Sequence, residues 1–355
     1  MIELFSRLFR TGSSDLRRRT IGVYAVLFVA NVAAWVWAIS LYRDQPLLLG
    51  TALIAYGFGL RHAVDPDHIA AIDNVTRKLV QERKRPVTVG FWFAVGHSAV
   101  VALGAALIAL ASVAMGSRFD AFKDIGGVIS TVVSSLFLFA IAGINLVVLR
   151  SVYRSFRSVR KGGRYEEEDF NQLLNGRGLL ARLFRPMFRL VTQSWHMLPL
   201  GFLFGLGFDT ATEIGLLGIA AAEAAKGVSF SAVMVFPALF AAGMSLVDTT
   251  DGVLMLHAYD WAFVRPIRKL YYNLTITLVS VIVAVVIGGI EALGLIAREL
   301  NMAGTFWDGV GALNGNFNTL GFIVIGVFLA SWILSVAIYY GRGFDKMELT
   351  ALSDR

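Results

Sequence analysis

Cysteine is absent from this chain of 355 residues. That excludes a disulfide framework, a thiolate metal site and a cysteine nucleophile. Charge is scarce too: 16% of the residues are Asp, Glu, Lys or Arg, against roughly 25% in a soluble domain. With 56% hydrophobic residues and a mean hydropathy of +0.66, the composition excludes a disordered or collagen-like chain. It points instead to one integral membrane domain over residues 1–355. The sequence has no Gly-x4-Gly-Lys-Ser/Thr phosphate loop, hence no ATPase motif, and no His-Glu-x-x-His protease motif. The net charge of +7 would suit nucleic acid, but the basic residues lie between apolar segments, where membrane topology accounts for them. The expected partner is the lipid bilayer, with no nucleic acid.

A helix that crosses a bilayer needs about 20 mainly apolar residues. Eight stretches qualify, at roughly 20–42, 47–74, 88–115, 125–149, 197–223, 230–258, 272–297 and 317–340; they are spans one to eight. The first is too long for a cleaved signal peptide and no small-residue cleavage site follows it. Of the Lys and Arg residues, 26 fall on one side of the spans and five on the other, with Arg61 inside span two. Positive residues are retained in the cytoplasm, so both termini are expected there. The expected fold is an all-α membrane protein with eight transmembrane helices, a basic N-terminus (1–19), a long basic loop (150–196) and a tail (341–355). In that loop Arg182, Arg185 and Arg189 share a helix face, which suits an interfacial helix on anionic lipid or a solvated loop. The acidic run Glu166 to Asp169 reads as solvated.

The informative residues are polar ones inside the spans. Span two holds Arg61, His62, Asp65, Asp67 and His68; span three holds His97 and Ser98. Span five holds Asp209, Thr210 and Glu213; span six holds Ser245, Asp248, Thr249 and Asp251. Six carboxylates facing lipid would cost on the order of 15–20 kcal/mol, more than a typical domain's whole stability. They must therefore face the bundle interior or water and find partners there. On a helix, His62, Asp65 and His68 share an inward arc, while Asp67 points elsewhere unless the helix breaks. Pro66 supplies a cause for such a break, because proline lacks the N–H that the helix needs. A broken helix at membrane depth is tolerated where it lines a cavity. Asp209 and Glu213 share one face, and Asp248 and Asp251 nearly share another.

Imidazoles and carboxylates without sulfur suit a borderline divalent metal such as Ni, Co, Zn or Mn. Three histidines argue against Mg or Ca, which prefer oxygen. A buried ion-pair network, for example Arg61 with Asp65, is the structural alternative. His196 and His257 read as interfacial, Asp73 and Asn74 as closing span two, and Asn145 and Asn273 as interhelical hydrogen-bond glue.

Four segments carry a resemblance. They are Arg61 to Ile69 (His-x4-Asp-His), Gly90 to Ser98, Leu206 to Ile214, and Gly243 to Gly252. In this order they resemble the signatures of the nickel/cobalt transporter (NiCoT) family of bacterial secondary permeases. The resemblance implies an eight-helix permease of the cytoplasmic (inner) membrane moving Ni²⁺ or Co²⁺, usually inward. The metal is then the transported substrate, and no cofactor is expected. The resemblance assigns the main signature to His62, Asp67 and His68, with His97 close behind. It adds Asp209, Thr210, Glu213, Asp248 and Asp251. Pro66 departs from the family pattern, which more often has Ala.

The chain also echoes itself. Phe58-Gly59-Leu60 recurs as Phe204-Gly205-Leu206, and Phe93 to Ser98 recurs as Phe240 to Ser245 with Met244 in place of His97. This relates spans two to four to spans five to seven as an inverted repeat, an architecture common in secondary transporters; chance recurrence of common membrane residues is the alternative. Other functions fit less well. An exporter of related architecture would favour a His-rich loop, and 150–196 has only His196. A membrane metalloenzyme lacks its motifs, and a sensor would need a soluble output domain.

Overall fold

The computed structural model describes residues 14–110, 116–160, 191–206, 211–262 and 266–341. The expected interfacial helix in the long loop, the tail after residue 341, Asp209 and Thr210 lie outside the described residues. Among the described residues all regular structure is helical. The helices are α1 (Ser14–Tyr42), α2 (Pro46–His62), α3 (Pro66–Gln81), α4 (Val89–Leu110), α5 (Gly116–Arg160) and α6 (Met197–Gly205). They continue with α7 (Ala211–Ala225), α8 (Phe230–Val233), α9 (Val235–Ala262), α10 (Pro266–Glu299), α11 (Thr305–Gly315) and α12 (Phe317–Gly341).

Five segments are each long and apolar enough to cross a bilayer: Asp15–Tyr42, Val89–Leu110, Gly127–Arg154, Phe230–Tyr259 and Leu274–Glu299. Two bent helix pairs, each counted as one span, raise the number to seven. Exposed Phe28, Val29, Leu53, Leu103, Ile282 and Ile333 give these helices apolar outer faces, as a lipid environment requires. The chain is a multi-pass membrane protein.

Span two is broken where proline predicts. α2 ends at His62, α3 begins at Pro66, and the two are bent by 52°. The last turn tightens: Val64 N–H donates to Arg61 O at 3.1 Å and Asp65 N–H to His62 O at 2.9 Å. Asp65 then adopts an extended conformation, φ −64° and ψ 140°, as a residue before proline prefers. Pro66 opens α3, where its missing N–H costs nothing. α12 covers this break, with Gly321 against the Val64 carbonyl.

Past the break, the sequence expectation needs correcting. Span two does not close at residue 74; α3 runs on to Gln81, and His68 to Leu79 are all buried. Asp73 and Asn74, expected to close the span, and Arg77 and Lys78 beyond them therefore lie inside the protein. Charged residues end a lipid-facing span but are tolerated in a helix enclosed by other helices, where each can find polar neighbours. Of span five, α6 and α7 are helical, and the residues between them lie outside the described set.

α9 lies centrally, packing on α1, α2, α3 and α4, while α4 also packs along α6 and α5 packs along α10. The α4–α9 contact is close because Gly90 meets the backbone of Asp248; a methyl there would overlap the Asp248 carbonyl. This approach sets α9's carboxylates beside the histidines of α2, α3 and α4.

Candidate metal centre

Three imidazoles converge at the break. His62 is the last residue of α2, His68 lies in the first turn of α3, and His97 faces them from α4. None is more than 3% exposed. Their ring centroids are 4.7, 4.7 and 4.8 Å apart. One ligand nitrogen from each can be chosen so that all lie within 4.8 Å of one another.

The ring nitrogens are differentiated. His62 presents Nδ1 to Asp65 Oδ2 at 2.9 Å and Nε2 to His97 Nε2 at 2.8 Å. His68 turns Nδ1 towards Asp248 Oδ1 at 3.4 Å, and its Nε2 has no hydrogen-bond partner. A carboxylate on one imidazole nitrogen fixes the ring's orientation and leaves the other nitrogen for a metal. Two nitrogens bound side by side to one ion at ~2.1 Å each lie about 3 Å apart, close to the His62–His97 separation. The carboxylates keep spare capacity: Asp65 Oδ1 and Asp248 Oδ2 are buried without hydrogen-bond partners.

The walls are aromatic. Phe93 meets His68 edge-on at 4.8 Å, and Phe240 lies 5.5 Å from His62. Such walls exclude water and hold the rings in place. Ser98 Oγ donates to Met244 Sδ at 3.4 Å, tying α4 to α9 beside the cluster. Sequence reasoning named neither phenylalanine as part of the site. Their spacing was legible, since Phe93 precedes His97 by one turn and Phe240 stands at its counterpart position in the second half.

The remaining candidates are distributed around this centre. Asp67 is half-buried in the first turn of α3, and Asp251 lies one turn beyond Asp248 with Oδ2 buried and without a hydrogen-bond partner. Thr249 and Ser245 are buried on α9. Arg61 is exposed, and the partner of Asp65 is His62. Glu213 lies on α7, and its side chain is outside the described residues. His196 and His257 sit apart: His196 Nδ1 accepts from Thr192 N–H at 3.2 Å, and His257 Nδ1 is 2.8 Å from Val253 O. Asn145 links helices as expected, donating to Asn74 Oδ1 at 2.6 Å.

Comparison with known proteins identifies the family of the chain. The family described as "High-affinity nickel-transport protein" (NicO) matches residues 48–338. A high-affinity nickel transport protein of Cupriavidus necator is 56% identical over 99% of this chain and 100% of its own length. The nickel transporter NixA of Staphylococcus aureus is 46% identical over 90% of this chain and 94% of its own. The cobalt transport protein NhlF of Rhodococcus rhodochrous is 40% identical over 89% and 91%. No solved structure matches the chain. Relatives this similar over their whole length are transport proteins, not enzymes, and the chain belongs to the NicO family of high-affinity nickel-transport proteins.

Proposed function

We propose that this chain is a secondary permease that carries Ni²⁺, and Co²⁺ by the same route, into the cell across the cytoplasmic membrane of a bacterium. The observation that carries the proposal is the trio His62, His68 and His97 at a helix break, with carboxylates orienting two of the rings from behind. In this reading His62, His68 and His97 bind the ion through Nε2. Asp65 and Asp248 orient their histidines and balance the charge. Asp67, Asp209, Thr210, Glu213 and Asp251 belong to the path on either side. A three-imidazole set selects a borderline transition metal over Mg²⁺ and Ca²⁺.

Eight membrane crossings with both termini in the cytoplasm fit this function and the basic-residue asymmetry. The packing supports an inverted repeat. α2 packs on α9 through Gly59 against Phe240, and α6 packs on α4 through Gly201 against Phe93. Phe240 and Phe93 are the counterparts in the sequence echo. The relation is reciprocal between helices, first half on second and second half on first, although the echo's counterpart of Gly59 is Gly205, which lies one turn further on and meets His97. A divalent cation entering a negative interior gains about 4.6 kcal/mol per 100 mV, twice the single-charge value.

The test is uptake of radioactive Ni²⁺ and Co²⁺ at trace concentration into cells expressing the chain, beside His68→Ala. Accumulation that the variant lacks is the expected result. Accumulation below that of empty cells would make the chain an exporter. Equal accumulation by parent and variant would remove His68 from the path.

A further inference from the structure

A groove of about 390 Å³ lies between α1 and the start of α4. Both helices are bilayer spans, and both pack on α9. α1 lines it with Arg19, Gly22, Val23 and Val26, whose spacing of three and four makes one helix face. The facing wall carries Arg85, Phe91 and Trp92. The floor is α9, where Val253 and Leu256 form a small core with Val23 and Val87. Both walls run antiparallel to α9. Tyr24 bonds Thr250 and Asn31 bonds the Ala242 carbonyl, while Gly90 meets Asp248 and Ser98 bonds Met244. α1 and α4 are therefore parallel, with Tyr24 and Gly90 at about one level. Arg19 and Arg85 each stand five residues before that level, so the two exposed guanidiniums share one end of the groove and apolar side chains line the rest. Val26, seven residues past Arg19, is about 10 Å deeper along the helix. Gly22 leaves space there, since a Cβ on it would meet nothing within 4 Å.

The basic end is held in place. Ser194 borders the groove from the short helical turn Ser194–His196. Lys84 donates to the Thr192 carbonyl at 2.7 Å and buried Lys78 to the Val191 carbonyl, which pins this turn beside Arg85. Arg19 is held through Nε by Asp15 at 2.9 Å, and Asp15 also faces Arg18 at 3.6 Å. With Arg17, Arg18, Arg19, Arg83, Lys84 and Arg85 against Asp15 and Glu82, the end is strongly cationic.

We propose that this groove binds one anionic phospholipid, its phosphate between Arg19 and Arg85 and one acyl chain along Gly22, Val26 and Phe91. A groove between two spans faces the bilayer, so lipid fills it, and the guanidiniums choose a lipid of negative charge. Guanidinium N–H groups match phosphate oxygens in pairs, and basic pockets between spans take anionic head groups on the cytoplasmic side. Free phosphate would meet the arginines but leave the apolar walls in water. The seated lipid braces α1 and α4 at the level where α9 carries Asp248. Its place in the cytoplasmic leaflet rests on the topology proposed above; the site itself depends on neither the metal nor the direction of transport.

The test is native mass spectrometry of the delipidated full-length chain in detergent, titrated with dioleoyl phosphatidylglycerol or dioleoyl phosphatidylcholine, which share acyl chains and differ in charge. The parent is expected to hold one phosphatidylglycerol about tenfold or more tighter than phosphatidylcholine. Arg19→Gln with Arg85→Gln should bring the two lipids within about twofold of each other. Arg17→Gln with Arg18→Gln removes the same charge from outside the groove and should keep the preference. Gly22→Leu fills the groove and should weaken both lipids, and inorganic phosphate should displace neither. Equal binding of the two lipids by the parent would overturn the proposal. So would a preference that survives loss of Arg19 and Arg85, one lost as fully with Arg17 and Arg18, unchanged binding in Gly22→Leu, or displacement of the lipid by phosphate. Metal transport is no part of this readout, so its outcome and that of the uptake test are independent.

Discussion

At the scale of single residues, the site is built by giving each ring nitrogen a separate duty. Asp65 and Asp248 face Nδ1 of His62 and His68 at 2.9 and 3.4 Å; under the proposed function Nε2 is the nitrogen that takes the ion. Removing such an orienting carboxylate typically costs 10–100-fold in metal affinity or activity. Asp65→Asn and Asp248→Asn should therefore each weaken Ni²⁺ uptake by about 10–100-fold while the protein still inserts; a loss below twofold in radiotracer uptake would mean the carboxylates are incidental. His62→Ala, Asp67→Ala and His68→Ala should each abolish uptake with normal membrane levels on immunoblots, and near-normal uptake in one of them would exclude that residue. That these side chains turn into the bundle was legible in the sequence, because charge and imidazole within an apolar span are costly and must have partners. Which carboxylate backs which ring was not legible, since that depends on how α9 lies against α3. Asp73 and Asn74 were expected to close span two, and lie mid-helix instead, for a related reason. Hydropathy measures what a helix would show to lipid, and α3 shows almost nothing to lipid along this stretch.

At the scale of elements, the break in span two places the centre. An unbroken helix would carry Asp67 and His68 past His62 on a fixed spiral; the 52° bend after His62 lets the start of α3 turn its first-turn residues towards α4 and α9. Pro66 was a sufficient signal for the break, and the extended Asp65 follows from it. Pro66→Ala restores an N–H and permits helix through this point. Such a change should lower the maximal rate of Ni²⁺ uptake more than it changes KM; equal effects on both would mean that the proline shapes the binding site alone. Gly90→Ala tests the α4–α9 contact, because a methyl at Gly90 would overlap the Asp248 carbonyl. Overpacking of this kind costs about 1–3 kcal/mol, so the variant should melt at lower temperature in detergent and bind metal more weakly. An unchanged melting curve would show that the two helices part easily.

At the scale of the whole molecule, the bundle encloses a polar column within an apolar exterior. Hydropathy located most of the candidate spans, and the central position of α9 follows from glycines that let its backbone approach its neighbours. Uptake driven by membrane potential is the simplest consequence. Proteoliposomes clamped inside-negative should accumulate Ni²⁺, with about 4.6 kcal/mol available per 100 mV, and collapsing the potential should abolish accumulation; uptake that persists without a potential and follows a proton gradient would assign the drive to protons. The claim on which the rest depends is that the metal is held by imidazole. X-ray absorption at the nickel edge of the purified, Ni²⁺-loaded chain tests it most directly. The account predicts the outer-shell scattering of about three imidazoles bound at ~2.1 Å, reduced by one ring in His97→Ala. A spectrum of oxygen ligands alone, unchanged by that substitution, would contradict it.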